Sequence, residues 1–405
     1  MKILHTADWH LGKKLGGYSR HAEQILVLDE ICGLADAHEV DLVLIAGDLF
    51  DGPNPSSEST ELFYKTLRRL SNDGSRAVIA IAGNHDSPER IAAPEPLALA
   101  CGIVLLGFPD TEVPYFETEK GIKVLQSSPG FLELSLPKTS FPVRLILTAF
   151  ANEIRLKKYL GQEDSDGELK NLIEETWNFL AKKYCDPKGV NLLMTHLYFV
   201  PSIGEIEPES DDERSIAGLG GTQALPTTIL PPEIQYVALG HIHKFWPVSM
   251  QPMPVIYPSS PLCYSLNESG QEKFVIILDI EPATPVNFQK IKLEQGKQVL
   301  RMTFDSVDKA VAWLAENQDA YVELTMVSNE YLNAEDSSRI YASHKWILDL
   351  IPQSKNSTIS GLTQQAQTID IQLDKSELFE SFFIQKKGQE PSLELKKLFH
   401  EILNS

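Results

Sequence analysis

Long apolar runs and cysteines are both scarce in this chain of 405 residues. No apolar stretch approaches the ~18–20 residues that a membrane-spanning helix needs. The segment MKILHTADWH has neither the long apolar core nor the small-residue cleavage site of a secretory signal. The four cysteines are far apart and form no C-x-x-C pair, which excludes a zinc ribbon and a disulfide framework. We therefore expect a soluble protein of the reducing cytoplasm.

Positive charge is also scarce, since 36 Lys and Arg stand against 56 Asp and Glu and the formal net charge is −20. A chain that binds nucleic acid by its own charge needs clustered Lys and Arg to neutralise phosphates. Binding to DNA would therefore need positive charge from divalent metals or from a basic partner subunit. Part of the acidity lies in the run 205–213, which we interpret as a solvated loop. The alternative is that this run flanks and gates a DNA path.

The chain does contain five short apolar runs, each followed by residues that bind metal well. The pairs are Ile3-Leu4 before Asp8 and His10, 42–45 before Asp48, 78–81 before Asn84, His85 and Asp86, 192–194 before His196, and 237–239 before His241 and His243. Each pair alone has an ordinary explanation as a turn, a cap or a polar loop. Together they predict a sheet whose loops along one edge gather three Asp, one Asn and five His.

The first part of the chain alternates strand-like and helix-like segments, which favours a layered α/β domain. Helical spacing of apolar residues predicts helices over 22–37, 62–70 and 168–184, and two further strands are expected at 255–257 and 274–280. Proline and glycine interrupt the pattern between 281 and 296. We therefore expect a first domain over residues 1–285.

A smaller α+β cap domain is expected over 297–352, extending to about 373. Its predicted elements are strands at 299–304 and 321–327, helices at 307–316 and 334–350, and a further strand at 369–373. Residues 374–405 form a predicted helical tail whose first piece carries Leu378, Phe379, Phe382 and Phe383. These side chains either fold back on the cap or bind a partner protein, as an amphipathic helix does in a groove.

The ligand types suit phosphodiester hydrolysis. Two divalent metals about 3.5–4 Å apart supply a hydroxide at neutral pH and neutralise the charge that builds on phosphorus. Such a pair needs a carboxylate that reaches both ions, together with imidazole and amide ligands. Mixed His, Asp and Asn ligands suit manganese, iron or zinc better than magnesium.

These motifs resemble the calcineurin-like metallophosphoesterases, and the whole series is present in order. The matching text is Asp8-x-His10, Gly47-Asp48-x-x-Asp51, Gly83-Asn84-His85-Asp86, His196 and Gly240-His241-x-His243. The resemblance implies a layered β-sandwich flanked by helices. Flanking segments such as HTADWHLGKK and YVALGHIHKFW are similar, more narrowly, to the nuclease subunits of bacterial ATPase–nuclease complexes.

The resemblance also implies roles for individual residues. Asp8, His10 and His243 would hold one metal, Asn84, His196 and His241 the other, and Asp48 would bridge them. His85 would stabilise the transition state or protonate the leaving oxygen. Asp51 would orient His85, although Asp86 could do so instead or serve only in a turn. In one departure from the relatives, Ser259 stands where we expect Gly.

Three functions remain open at this point. The first is a manganese-dependent DNA exonuclease and endonuclease that acts with an ATPase partner, as a homodimer within a heterotetramer, in processing DNA ends or hairpins. The second is a stand-alone phosphodiesterase for a small or cyclic phosphate ester. The third is a non-catalytic scaffold, against which the intact ligand set argues.

Overall fold

The computed structural model describes residues 1–156, 165–201, 224–328, 332–354, 376, 378–380, 382–383, 391 and 393–403. The chain divides into two compact units, Met1–Lys297 and Gln298–Ser405. Within the described ranges, no helix is long and apolar enough to cross a membrane.

The first unit contains a six-stranded sheet with four adjacent parallel strands. Its centre is built from runs such as LVLIA at 42–46, which is buried throughout, as expected for parallel strands covered on both faces. In spatial order the strands are β17 (Asn287–Lys292), β16 (Phe274–Asp279), β1 (Lys2–Thr6), β4 (Leu42–Ala46), β5 (Ala77–Ile81) and β6 (Ile103–Leu106). Strand β16 is antiparallel to both β1 and β17.

A second sheet in this unit has seven strands, of which β9, β10, β13 and β15 are parallel. In spatial order they are β14 (Trp246–Ser249), β15 (Val255–Tyr257), β13 (Tyr236–Leu239), β10 (Val190–Thr195), β9 (Val143–Thr148), β8 (Phe131–Ser135) and β7 (Lys123–Ser128). Two short ribbons complete the strands: β2 (Lys14–Leu15) with β3 (Tyr18–Ser19), and β11 (Phe199–Val200) with β12 (Leu225–Pro226).

The two sheets pack face to face. Alternate residues of the second sheet, such as Leu192 and Met194, lie in one buried cluster with the strands of the first sheet. Leu193 points to the other side, into a cluster with Trp177. Between the sheets, the buried ring of His5 lies 2.9 Å from the Tyr236 hydroxyl through Nδ1. The expected sandwich is confirmed.

Helices flank this sandwich. They are α1 (His21–Ala37), α2 (Ser57–Leu70), α3 (Pro88–Ala92), α4 (Glu95–Ala100), α5 (Glu153–Leu156) and α6 (Ser165–Tyr184). The three helices expected from apolar spacing are present. Helix α2 starts five residues before the expected 62 because Ser56 caps it, its hydroxyl accepting a hydrogen bond from the Ser59 N–H at 3.2 Å.

The first unit extends to Lys297 because β17 pairs with β16 along its whole length, from Asn287 opposite Asp279 to Lys292 opposite Phe274. The proline and glycine pattern places residues 286–297 outside the first domain. In the structure this segment contains β17, an edge strand of the six-stranded sheet of the first unit.

The second unit contains a three-stranded parallel sheet. Its elements are β18 (Gln298–Phe304), α7 (Val307–Glu316), β19 (Ala320–Ser328), α8 (Ala334–Ser343) and β20 (Ile347–Ser354). The helix predicted over 334–350 is wrong in its second half. Helix α8 ends at Ser343, His344 is extended (φ −152°, ψ 134°), and the following residues pair with β19. Ile347 is buried there opposite Val322, so tertiary pairing overrides the helical spacing.

The tail contains helix α9 (Leu393–Leu403) and described residues of the preceding piece. The Phe379 ring stacks on Phe399 with centroids 4.0 Å apart, and it lies 5.8 Å from the Phe383 ring. The two tail pieces therefore pack on each other, while Phe382 remains 51% exposed. The acidic run 205–213 and the strand expected at 369–373 lie outside the described residues.

Candidate metal centre

All seven residues expected to bind metal lie just beyond the carboxyl ends of parallel strands. Strands β1, β4 and β5 of the first sheet and β10 and β13 of the second end at this site. Their ligand-type residues are Asp8, His10, Asp48, Asn84, His196, His241 and His243; Asn84 is half-buried and the others are buried. Because the two sheets face each other, residues far apart in the chain converge here.

Asp8, His10 and His243 form the first cluster. Each offers one ligand atom, and these atoms lie within 4.8 Å of one another. Nε2 of His10 lies 3.0 Å from Nε2 of His243. Two nitrogens that bind one metal ion at about 2.0–2.1 Å come roughly this close when they occupy neighbouring positions.

Asp48, His196 and His241 form the second cluster, again with ligand atoms within 4.8 Å. Nε2 of His196 lies 2.9 Å from Oδ1 of Asn84, which places the amide beside the same cluster. Asp48 joins the two clusters, because its Oδ2 lies 3.4 Å from His196 Nε2 and 3.5 Å from His10 Nε2. The Asp48 carboxylate therefore lies between imidazole nitrogens of both clusters.

The backbone at the site is held in an unusual conformation. The φ angle is 56° at Asp8, 43° at His10, 48° at Asp48 and 110° at His241, all in the region that L-residues rarely adopt. Such residues cost about 1–3 kcal/mol each and persist where neighbours hold them. Here the His10 N–H donates to the Asp48 carbonyl at 2.9 Å, and the His241 N–H donates to Asp8 Oδ1 at 2.8 Å. Each ligand loop therefore fixes another.

Two glycines of the motifs are required by close approach. A Cβ on Gly47, where φ is 92°, would lie 2.2 Å from His196 Nδ1. A Cβ on Gly83 would lie 2.0 Å from Asp48 Oδ1. The Gly-Asp and Gly-Asn-His motifs thus contain glycine because a ligand side chain occupies the space of the missing side chain.

The electrostatics of the site indicate a deficit of positive charge. Burial raises the pKa of Asp8 to about 7 and that of Asp86 to about 6. Burial alone would lower the pKa of His196, but Asp48 and Asp8 raise it to about 9. Burial likewise opposes ionisation of Asp48, yet the neighbouring His196 and His10 hold its pKa well below the usual value. A bound cation would relieve this crowding of buried carboxyl groups.

The residues present fit divalent metal ions. Oδ2 of Asp8 is buried and has no hydrogen-bond partner among the described residues. In the neutral ring of His196, the Nδ1 proton is donated to the Ala46 carbonyl at 2.8 Å, which leaves the Nε2 lone pair for a cation on the side of Asp48 and Asn84. Carboxylate, imidazole and amide donors together suit a transition-metal ion.

His85 lies beside the first cluster, with its ring centroid 4.8 Å from that of His10. Its Nδ1 lies 3.0 Å from the backbone carbonyl of Asp51, so that nitrogen carries the proton and donates it. Asp51 thus contacts the ring through its main chain, while its carboxylate lies 3.9 Å from His10 Nδ1 and 3.8 Å from Lys13 Nζ. The ligand atoms of His10, Asp51 and His85 also come within 4.8 Å of one another.

Asp86 has a different position. Its carboxylate accepts hydrogen bonds from the N–H groups of Leu49 at 3.0 Å, Phe50 at 2.9 Å and Gly83 at 2.8 Å. Of the two interpretations of Asp86, these contacts favour a residue that shapes its own loop and ties it to the chain after Asp48.

Sequence patterns missed four supporting residues. Arg155 donates to the carbonyls of Gly83 at 2.8 Å and Asp86 at 2.7 Å, and so holds the loop that carries His85. Gln24 donates to the His10 carbonyl at 2.8 Å. The other two are Glu268 and Lys273, which lie behind His243. None of these four residues belongs to a sequence motif. The sequence offers one indication of their role, since Glu268 and Lys273 come just before β16, the strand that pairs with β1.

Ser259 is fully buried with φ at 103°, a conformation suited to the glycine expected there. Its hydroxyl accepts a hydrogen bond from the Phe274 N–H at 2.9 Å and donates to the Ser260 carbonyl at 3.0 Å. The serine therefore keeps the glycine-like loop shape, and side-chain hydrogen bonds offset the strain.

Comparison with known proteins gives the site its context. Residues 1–245 match the family model described as calcineurin-like phosphoesterase. The chain belongs to this family. The range covers all five motifs, and the layered phosphoesterase sandwich described above is the fold that the resemblance implies.

Individual relatives of this phosphoesterase match the chain beyond residue 245, where the family model ends. It is 30% identical to the SbcD component of the nuclease SbcCD from Bacillus subtilis (strain 168), over 99% of this chain and 97% of that protein. It is 32% identical to the protein of the same name from Rhodobacter capsulatus, over 69% of this chain and 66% of that one. A solved structure, TT1561 of Thermus thermophilus, is 12% identical with a TM-score of 0.33, over 71% of this chain and 98% of that one. The narrower resemblance, to SbcD, is confirmed by the first two.

Proposed function

We propose that this phosphoesterase is a metal-dependent DNA nuclease, with exonuclease and endonuclease activity, that acts with an SbcC-like ATPase in DNA end or hairpin processing. The observation that carries the hydrolytic part is the position of Asp48, whose Oδ2 lies within 3.5 Å of imidazole nitrogens from both clusters. The substrate part rests on likeness to nuclease subunits that extends over the whole chain.

Asp8, His10 and His243 would hold one ion, and Asn84, His196 and His241 the other, with Asp48 shared between them. Two such ions, which we propose to be manganese, would supply a hydroxide at neutral pH and neutralise charge developing on the phosphoryl oxygens. The protein would contribute the spacing, since hydrogen bonds between the ligand loops, from the His10 N–H to the Asp48 carbonyl and from the His241 N–H to the Asp8 carboxylate, position the side chains.

His85 would act on the leaving oxygen. Because Nδ1 donates to the Asp51 carbonyl at 3.0 Å, a protonated ring carries its second proton on Nε2 and can deliver it from there. Arg155 holds the backbone on either side of this histidine through the Gly83 and Asp86 carbonyls. Asp51 would orient His85 through its carbonyl, and its carboxylate is placed to interact with Lys13 instead.

The SbcC-like partner would resolve the charge problem. A chain with net charge −20 repels DNA, so a basic surface on an ATPase subunit would bring the duplex to the site. We propose a homodimer of this chain within a heterotetramer, as in the complexes that the resemblance implies. Leu378, Phe379, Phe382 and Phe383 would bind the partner.

One assay tests the proposal. The purified full-length chain is incubated with linear and hairpin double-stranded DNA, with Mn²⁺ or EDTA, with and without the ATPase. We expect cleavage that requires Mn²⁺ and increases when the ATPase and ATP are present. Inactivity on every substrate, together with no bound metal, would instead indicate a scaffold.

The same net charge of −20 favours one alternative, a phosphodiesterase for a small or cyclic phosphate ester, which does not need an extended basic surface. The assay separates the two functions. Hydrolysis of bis-p-nitrophenyl phosphate without DNA cleavage, even with the partner, would favour the alternative.

Truncation after Leu373 should abolish binding of the SbcC-like subunit and leave hydrolysis of bis-p-nitrophenyl phosphate unchanged. The reason is that the exposed apolar side chains of the tail lie beyond that point, including Phe382 at 51% and Ile402 at 65% exposure. Co-purification of tagged subunits measures binding.

Two point variants refine this test. Phe382→Asp should weaken binding, whereas Phe179→Asp, an equally drastic change at a 61% exposed position on α6, should not. Partner binding that survives the truncation would contradict the role of the tail.

A further inference from the structure

A carboxylate and an ammonium group are buried behind His243. The side chains of Glu268 and Lys273 are 5% and 6% exposed and form an ion pair with each other. Placing two charges in the interior is costly unless further contacts satisfy them. The other contacts of Glu268 and Lys273 include His243 in both cases.

Both members of the pair contact His243. Oε1 of Glu268 lies 3.3 Å from Nδ1 of the ring and accepts the Tyr264 N–H at 3.0 Å. Nζ of Lys273 donates to the His243 carbonyl at 2.7 Å and to the Ser260 hydroxyl at 3.0 Å. The pair therefore holds the ring of His243 through Glu268 and its main chain through Lys273.

This contact selects the tautomer of His243. A carboxylate only accepts, so Nδ1 of the ring must carry the proton, and Nε2 keeps its lone pair. That Nε2 lies 3.0 Å from Nε2 of His10, inside the first cluster. His196 obtains the same tautomer from a neutral backbone carbonyl, that of Ala46 at 2.8 Å. The nearest carboxylate oxygen to His196 Nδ1 is that of Asp8 at 3.8 Å, beyond hydrogen-bonding distance, whereas Glu268 lies 3.3 Å from His243 Nδ1.

We propose that Glu268, held by Lys273, is a positioning residue for His243 and strengthens binding of the ion at Asp8, His10 and His243. This inference rests on the two-ion site proposed above. A carboxylate behind a ligand histidine fixes the ring and makes it a stronger donor, and loss of such a group typically lowers metal affinity about 10- to 100-fold. The effect should fall on one ion because, in the part of the chain that the structure describes, the Glu268 side chain bonds to His243 and to no residue assigned to the second ion alone.

The test is titration of the full-length chain with Mn²⁺ alone, followed by calorimetry and by electron paramagnetic resonance of the ion pair. In Glu268→Gln we expect one of two ions to bind about 10- to 100-fold more weakly. The other ion should keep its wild-type affinity, so that the spin-coupled pair gives way to a single-ion signal at limiting Mn²⁺.

Glu133→Gln is the matched control. Glu133 accepts a hydrogen bond from Arg144 Nε at 2.6 Å in another ion pair, between β8 and β9. Its loss should lower the melting temperature without changing either Mn²⁺ affinity.

Glu268→Gln leaves the buried Lys273 without its ion-pair partner, which could impair folding. A second variant addresses this. The double variant Glu268→Gln with Lys273→Met removes both charges together, and such replacements are often tolerated in protein interiors. It should show the same selective loss of one ion. Unchanged affinities, or equal weakening of both ions, would overturn the positioning role while leaving the proposed function standing. A wild-type chain that binds fewer than two Mn²⁺ ions would overturn the proposed site itself.

Discussion

His85→Gln should lower kcat for bis-p-nitrophenyl phosphate by about 10²- to 10⁴-fold, the range for loss of a general acid. Glutamine retains a hydrogen-bonding group near the Asp51 carbonyl but cannot carry a transferable proton at neutral pH. Metal content should stay at two ions per chain, because the seven ligands assigned to them do not include His85. Steady-state kinetics and elemental analysis of the dialysed protein measure the two quantities.

The control for this variant is His38→Gln, at the end of α1 and away from the centre, which should change neither kcat nor metal content. The structure also defines the competing result. Ligand atoms of His10, Asp51 and His85 lie within 4.8 Å of one another, a grouping that could itself hold an ion. If His85→Gln loses an ion together with its activity, His85 is a ligand and the assignment of the acid is wrong.

The residues that converge at the centre could be predicted from sequence because each follows a short apolar strand. Parallel strands that end at one edge bring their loops together, so Asp8 and Asp48 meet although they are far apart in the chain. The Gly-His-x-His motif follows β13 in the same way and brings both rings to the site, although His241, with φ at 110°, is not in an extended conformation. The fold of the first unit followed from the same strands.

The supporting residues could not be predicted in this way. Glu268 lies 25 positions after His243, beyond strands β14 and β15, so their contact depends on the tertiary structure. Arg155 reaches the carbonyls of Gly83 and Asp86, and a contact to main-chain atoms leaves no residue pattern to recognise. The strand at Ile347–Ser354 was missed for a related reason, because its pairing with β19 outweighs a helical spacing that continued from α8.

The sequence motifs contain several glycines, but only the structure explains why glycine is needed at these positions. Gly240 shows this most clearly. A Cβ on Gly240 would lie 1.7 Å from the Ala46 carbonyl oxygen and 2.9 Å from His196 Nδ1. That carbonyl is the acceptor that orients His196. Gly240 therefore allows the ends of β4 and β13, one from each sheet, to approach closely enough for their ligands to share one site.

Gly240→Ala should consequently remove activity and destabilise the first unit by about 3 kcal/mol or more, as expected for overpacking where neither side can move. The methyl group must push β13 away from β4, which breaks the hydrogen bond from His196 to the Ala46 carbonyl and separates His196 and His241 from Asp48. Thermal unfolding and Mn²⁺ titration measure the two effects.

Gly33→Ala is the matched control, because Gly33 lies inside α1 and a Cβ there would meet nothing within 4 Å. Alanine at such a position should stabilise the helix by roughly 0.5–1 kcal/mol and leave activity unchanged. The two substitutions add the same methyl group, so opposite effects on unfolding would show that the close approach at Gly240, and not glycine replacement as such, is what the centre requires. A Gly240→Ala chain with wild-type melting and two bound ions would mean that the two sheet ends tolerate separation, and the shared position of Asp48 would then need another explanation.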